Sequence, residues 1–420
     1  MEINLSKLAN GLRVATVERP QTETVSLGIW VNTGSSCEYK DINGISHFVE
    51  HMVFKGTKSR NALQISEDIE NVGGQTNAYT SREFTVFYAK MLKNDIELAI
   101  DVLSELVMSP SFDAAEMAKE KEVVVQEIKQ TNDDPSDIVF DYFQSTAFAD
   151  QALGMSILGP AEKVRSFDAD KLREYMRHNY AAENIMVVAV GNLKHDEFVK
   201  MVENRMAALN PHTDFVRDSQ VYTGGQFIKT RDTEQAQVLL GFKGINYGHP
   251  LYYPTSILST LFGGSMSSRL FQEIREKRGL VYSVYSFTNT YMQTGLFGIY
   301  AGLNQEEIKN YVPVVADEVK KIVNDYVTDK ELNRVKVQLK ASILMALESS
   351  SSTAEVVARQ QLVHNRFIPV EEIVEKIENV GKEDILQAAR QIFGGKPTYT
   401  LLGNLDKYPD YEAVEKMFAM

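Results

Sequence analysis

The chain has 420 residues, 44% of them apolar and 24% charged, with a formal net charge of −13. That length favours two or three domains, and that balance is ordinary for a soluble globular protein, so a disordered chain, a collagen-like chain and a disulfide-stapled miniprotein are excluded. The excess of acids, 57 Asp and Glu against 44 Lys and Arg, argues against a general nucleic-acid binder, whose affinity comes from clustered cations.

The first residues, Met1 to Lys7, carry no basic region followed by an apolar run, so no secretory leader is expected. No apolar stretch approaches the roughly 20 residues of a membrane span. The single cysteine, Cys37, can make no disulfide within the chain and reads as a small buried apolar residue. A cytoplasmic location is the expectation.

In chain order, Asn10-Gly11 introduces Leu12 to Val17, which alternates like a strand, and Thr24 to Val31 is a second strand. Gly44 to Phe54 reads as a helix. Ile65 to Val72 is another, ended by Gly73-Gly74. Thr76 to Thr80 and Glu83 to Ala89 read as paired strands around a polar turn. Helices are expected over Asp95 to Val107, Asp113 to Gln130 and Asp137 to Ala149, and a strand over Ile185 to Val190, closed by Gly191-Asn192. Val188 to Lys194 resembles Thr400 to Asp406 at an offset of 212 residues, and Phe112 to Met117 resembles Val327 to Leu332 at nearly the same offset. Together they point to a duplicated unit of about 210 residues. The expected organisation is therefore 1–210, a linker over 211–225 with Asn210-Pro211-His212 at its start and Gly224-Gly225 at its end, and 226–420.

Two of the seven histidines fall in His47-Phe48-Val49-Glu50-His51. At about 100° per residue, His47, Glu50 and His51 project from one face of a helix. Two imidazoles at i and i+4 can share one zinc ion, and a carboxylate one residue before the second can reach the water that attacks a substrate. By composition, about 0.016 such patterns are expected by chance in this chain. Phe48, Val49, Met52, Val53 and Phe54 surround the three polar groups, so the helix would bury them unless they face a cleft. A third ligand is needed from elsewhere. Glu116, Glu120, Glu122 and Glu127 are offered by one helical stretch; Glu120 and Glu127 share a face, and helix geometry leaves open which would bind metal and which would orient a histidine.

The run from His47 to Thr57 resembles the inverted zinc motif, HxxEH, of the pitrilysin, insulinase and mitochondrial processing peptidase family, the inverzincins. The resemblance extends over nearly the whole chain and is strongest to half-size bacterial processing proteases. It implies an α+β fold of two homologous halves, each a mostly antiparallel sheet with helices packed on it. It implies that the third ligand is Glu127, 76 residues after His51, and that Glu120 supports a zinc-binding histidine. Gly73 to Thr80 resembles the edge strand that pairs with substrate backbone, which makes Asn77 and Ala78 substrate-binding residues; Phe54 corresponds to a residue lining the pocket beyond the scissile bond. Asp137 and Asp141 fall where the mitochondrial subunit binds a basic substrate residue. In the second half, Arg275 to Tyr282 resembles the family's arginine–tyrosine segment, so Arg275 and Tyr282 would hold substrate or polarise its carbonyl.

Ile257 to Leu261, where a second motif would fall, has neither His nor Glu, so one zinc ion per chain is expected. The implied activity is a zinc metalloendopeptidase acting on peptides or unfolded, presequence-like segments, with Glu50 as the general base and acid. Longer relatives enclose substrate between two halves of one polypeptide. A chain of this length would need a second copy, so a homodimer is expected, with no nucleic acid and no membrane span. The alternative within the same fold is a non-catalytic scaffold or peptide-binding subunit, which would be expected to have lost the metal ligands that are intact here.

Overall fold

A computed structural model of the chain describes residues 2–213 and 217–419. Two compact units emerge, and neither is one continuous stretch. The first gathers the described parts of 1–128, 156–218 and 344–369; the second gathers 129–155, 219–343 and the described part of 370–420.

The sheet of the first unit is built from β1 (Asn4–Lys7), β2 (Arg13–Glu18), β3 (Thr24–Val31), β4 (Gln75–Thr80), β5 (Thr85–Leu92) and β6 (Ile185–Gly191). Their order is β1-β2-β6-β3-β5-β4, with every pair antiparallel except β2 with β6. All seven residues of β6 are buried, as expected of a central strand covered on both faces. Strand alternation shows what covers them. Val25, Leu27, Ile29 and Val31 of β3 join one core with Ile100, Leu103 and Val107 of helix Ile96–Met108. On the other face, Ser26 hydrogen-bonds Ser351 (3.0 Å) and the Trp30 indole N–H donates to Glu355 (2.8 Å), both on helix Ser350–His364. Arg19 fixes the approach to that helix by donating to the Leu347 and Glu348 carbonyls.

The second unit repeats the plan with β7 (Gly225–Thr230), β8 (Ala236–Lys243), β9 (Val281–Thr290), β10 (Gly295–Leu303) and β11 (Thr398–Gly403) in the order β7-β11-β8-β10-β9. Again one pair, β7 with β11, is parallel and the rest are antiparallel. Val238, Leu240 and Phe242 face a core with Phe262, Tyr311 and Phe393, whereas Leu239 and Leu402 pack against Val139 and Phe143 of helix Pro135–Ala147. A Cβ at Gly241 would lie 2.2 Å from the Phe143 ring, so glycine there makes room for the helix.

The repeated Gly-Asn has one physical cause in both units. Gly191 and Gly403 end β6 and β11 at φ 147° and 151°, in the region that favours glycine. A Cβ at Gly191 would meet the Thr24 carbonyl oxygen at 2.3 Å, and one at Gly403 would meet the Ala236 Cα at 2.7 Å. The two-sheet α+β expectation therefore matches the architecture, and the expected strands and helices lie within a few residues of the observed ones. The short strand β1, only four residues long and half exposed, was not anticipated, and neither were strands β7 to β10.

The sequence division into 1–210 and 226–420 follows the chain, whereas the compact units cut across it. Each sheet has two faces to cover, and each takes one covering helix from the other half of the sequence: Ser350–His364 for the first, Pro135–Ala147 for the second. Within the expected linker, 214–216 lie outside the described residues, Arg217 and Asp218 group with the first unit, and β7 begins at Gly225.

Candidate metal centre

The helix Ile45–Val53 starts after Gly44, whose φ of 94° is a left-handed conformation. A Cβ there would stand 2.6 Å from the Leu158 carbonyl oxygen. The first backbone N–H groups of a helix have no partner within it. Here the buried Glu38 carboxylate supplies one, accepting from Gly44 N (2.7 Å), Ser46 N (2.9 Å) and the Asn43 amide (2.9 Å). Phe48, Val49, Met52 and Val53 are wholly buried in the core of the first unit. That packing fixes the helix, and its other face carries His47, Glu50 and His51.

Helix Ala114–Asp133 brings the acids. His47 Nε2 and His51 Nε2 are 3.2 Å apart, and the Glu127 carboxylate oxygens lie 3.7 Å from the first and 3.5 Å from the second. A tetrahedral zinc ion with bonds of about 2.0–2.1 Å separates its donors by roughly 3.4 Å. Each ring nitrogen thus has its own Glu127 oxygen at close to that separation, and one ligand atom from each of His47, His51 and Glu127 lies within 4.8 Å of the others, a grouping that could hold a single zinc ion with donor types zinc takes. Burial, with His51 nearby, lowers His47 to about 3, which leaves the neutral imidazole a metal requires. Glu120 is buried and uses both oxygens: Oε1 accepts from His51 Nδ1 (2.8 Å) and Oε2 from Lys55 Nζ (2.8 Å). With Nδ1 donating, His51 Nε2 keeps its lone pair turned toward that grouping. Of the two acids that helix geometry left open, Glu127 faces both ring nitrogens and Glu120 the far side of one ring. Glu116 and Glu122 instead pair with Lys119 and Arg165.

Glu50 Oε2 accepts a hydrogen bond from Thr80 Oγ1 at 2.6 Å. Burial raises the Glu50 carboxyl above the ordinary carboxylate range, and the Thr80 bond opposes the rise. Thr80 ends β4, which has β5 on one side and stands at the edge of its sheet. Asn77 on this strand is exposed, with its side-chain oxygen accepting from Ala78 N at 2.8 Å, and Ala78 is buried opposite Phe87. Phe54 caps the motif helix and is half-buried against the first core.

The remaining sequence candidates belong to the second unit. Arg275 lies in the short helical segment Phe271–Glu276 with its guanidinium 4.9 Å from the Phe271 ring centre. Tyr282 is exposed near the start of β9, an edge strand, and donates to Asn304 at 3.2 Å. Asp137 and Asp141 share helix Pro135–Ala147, and burial, with Asp141 and Asp134 nearby, raises the Asp137 carboxyl.

Three residues of the first unit escaped sequence reasoning. Lys55 neutralises Glu120, Thr80 holds Glu50, and Glu38 caps the motif helix. Burial lifts the Glu38 carboxyl from 4.5 to about 7, against the pull of its donors from Ser46, Asn43 and Gly44. Between those values the folded chain holds more protons than the unfolded one, so the contribution of Glu38 to stability is complete below 4.5 and is lost as pH rises through about 7. In equilibrium unfolding, the wild type should lose stability relative to Glu38→Gln between about pH 5 and about pH 8. Parallel pH profiles for the two proteins would count against this.

Comparison with known proteins converges on one group. The family model described as insulinase (peptidase family M16) matches residues 13–161, and the model described as peptidase M16 inactive domain matches 166–339. A protein of Bacillus subtilis (strain 168) named an uncharacterized zinc protease is 37% identical over 385 residues, covering 91% of this chain and 94% of its own length. A Rickettsia bellii (strain RML369-C) protein with the same description is 36% identical, covering 95% and 97%. The crystal structure of a protease from Helicobacter pylori superposes with a TM-score of 0.89 at 22% identity, over 96% of this chain and 99% of that one. A Pseudomonas fluorescens structure described as a peptidase M16 inactive domain gives 0.90 at 19%, over 97% and 99%. At those identities the two structures speak for the fold.

Proposed function

Because the chain belongs to the insulinase family of peptidases, peptidase family M16, we propose that it is a zinc-dependent endopeptidase that cuts extended peptides and unfolded, presequence-like segments. The observation that carries this is the triangle of His47 Nε2, His51 Nε2 and a Glu127 oxygen, with Glu50 on the same helix. A scaffold subunit has no need of that geometry. The second half, 226–420, has no histidine pair at the HxxEH spacing, in keeping with one metal ion per chain.

In this mechanism His47, His51 and Glu127 hold the ion, and Glu120 holds His51 in the required tautomer. Bound there, zinc supplies the Lewis acidity that polarises a carbonyl and activates water. Glu50 takes the proton of the attacking water and delivers it to the departing amine nitrogen, so acid and base are one residue used twice. The open edge of β4 at Asn77 and Ala78 offers backbone groups to an extended peptide. Phe54 lines the pocket beyond the cut bond, and Asp137 and Asp141 receive a basic substrate side chain. Tyr282, with Arg275, stabilises the developing oxyanion or positions the chain. In a homodimer these two would serve the partner's zinc site, closing a chamber that one copy leaves open. The proposal places the reaction in the cytoplasm, in keeping with a lone Cys37; no helix among the described residues is long and apolar enough to cross a membrane.

The test is a peptide library read by mass spectrometry, with the enzyme stripped by chelator and reloaded with zinc. Cleavage should vanish on chelation and return at one zinc per chain, and sedimentation should show the active species to be a dimer. A zinc-loaded chain that cuts no peptide would defeat the proposal. A fully active monomer would defeat its dimer part.

A further inference from the structure

We infer that Thr80 is a positioning residue for Glu50: its hydroxyl fixes the carboxylate so that one oxygen is left to take the proton. This rests on the proposed role of Glu50 as general base. A glutamate side chain has three rotatable bonds, and a base must hold its oxygen within about a few tenths of an ångström of a productive place. The Thr80 hydroxyl donates to Glu50 Oε2 at 2.6 Å, at the short end for such a bond. With Oε2 so engaged, Oε1 is the oxygen that remains for proton transfer.

The hydroxyl can do this because its own place is over-determined. β4 is an edge strand, and such strands have only one neighbour to hold them. Three further attachments replace the missing neighbour. Successive strand residues point to opposite faces. Tyr79, beside Thr80, therefore reaches the other face, where its hydroxyl meets the Glu355 carboxylate at 2.8–2.9 Å, the group that also receives the Trp30 indole N–H. The turn just after Thr80 is tied to the loop before the motif helix by Ser35 N to the Ser81 carbonyl (3.2 Å) and Ser36 N to the Arg82 carbonyl (2.7 Å). The approach is so close that a Cβ at Gly34 would stand 2.2 Å from the Ser81 oxygen. Arg217 pairs with Glu83 of the same turn at 3.6 Å, and both side chains are nearly buried. Three pieces of chain distant in sequence thus set the position of one hydroxyl oxygen.

Thr80→Val keeps the shape and removes the hydroxyl, Thr80→Ser keeps the hydroxyl, and Thr80→Ala is the second deletion should valine disturb the fold. For Thr80→Val, kcat should fall by about ten- to a hundredfold, as for loss of a hydrogen bond to a charged group, with KM within about twofold. Zinc content and melting temperature should stay at wild-type values, and Thr80→Ser should recover most of kcat. A crystal structure of zinc-loaded Thr80→Val should show the Glu50 carboxylate turned from its wild-type place. An unchanged kcat, a loss expressed in KM alone, or an unmoved Glu50 would overturn the inference. The parent reading is judged apart from it by Glu50→Gln. If that variant is inactive while Thr80→Val is not, only the positioning role falls; if it cleaves as the wild type does, the base assignment itself falls.

Discussion

Glu50→Gln should lower kcat by about 10²- to 10⁴-fold while leaving one zinc ion bound. The substitution is nearly isosteric. The glutamine carbonyl oxygen can still accept from Thr80, and the apolar face of the helix that packs on the core is untouched. None of the three metal donors belongs to residue 50. What disappears is the capacity to accept a proton, because an amide nitrogen has no available lone pair and an amide oxygen is a far weaker base than a carboxylate. The fall should therefore appear in kcat with zinc retained, measured by single-turnover cleavage alongside metal analysis. Cleavage at the wild-type rate would eliminate the mechanism whatever the metal content.

His51→Ala should abolish both stoichiometric zinc binding and peptide cleavage. The other two donors would remain 3.7 Å apart, but two protein ligands are fewer than a catalytic zinc takes. The same ring also anchors Glu120, so its removal leaves a buried carboxylate with Lys55 as its remaining ion-pair partner. Glu120→Gln should act on the same quantity more weakly, lowering zinc affinity by about 10- to 100-fold with the three donors intact. Isothermal titration of chelator-stripped protein with zinc would read both. If Glu120→Gln binds zinc as tightly as the wild type, the support assigned to that carboxylate is refuted.

The two predictions differ in how legible their residues were. His47, Glu50 and His51 are visible in five consecutive residues, because a helix converts spacing directly into a shared face. Glu127 was one of four glutamates on its helix until a family spacing singled it out, and its carboxylate oxygens lie 3.5 Å and 3.7 Å from the two ring nitrogens. Thr80 gave no comparable signal. It closes an ordinary strand, and its bond to Glu50 spans 30 residues. Glu38 was equally silent, since a surface acid and a buried helix cap look the same in a string of letters.

Taken alone, the amino-acid order determined part of what is local or periodic: most strands and helices of the first 150 residues and strand β6 to within a few residues, the paired histidines, and the Gly-Asn that closes β6 and β11. Only the folded chain decided which helix covers which sheet, which of two carboxylates faces both ring nitrogens, and which hydroxyl hydrogen-bonds Glu50. The reason is physical. Local geometry depends on dihedral preferences and side-chain period, which neighbouring residues carry themselves. Polar groups of residues 38, 80, 120 and 127 meet the motif helix only because burial of apolar faces brings their backbones together, and no spacing along the chain records that distance.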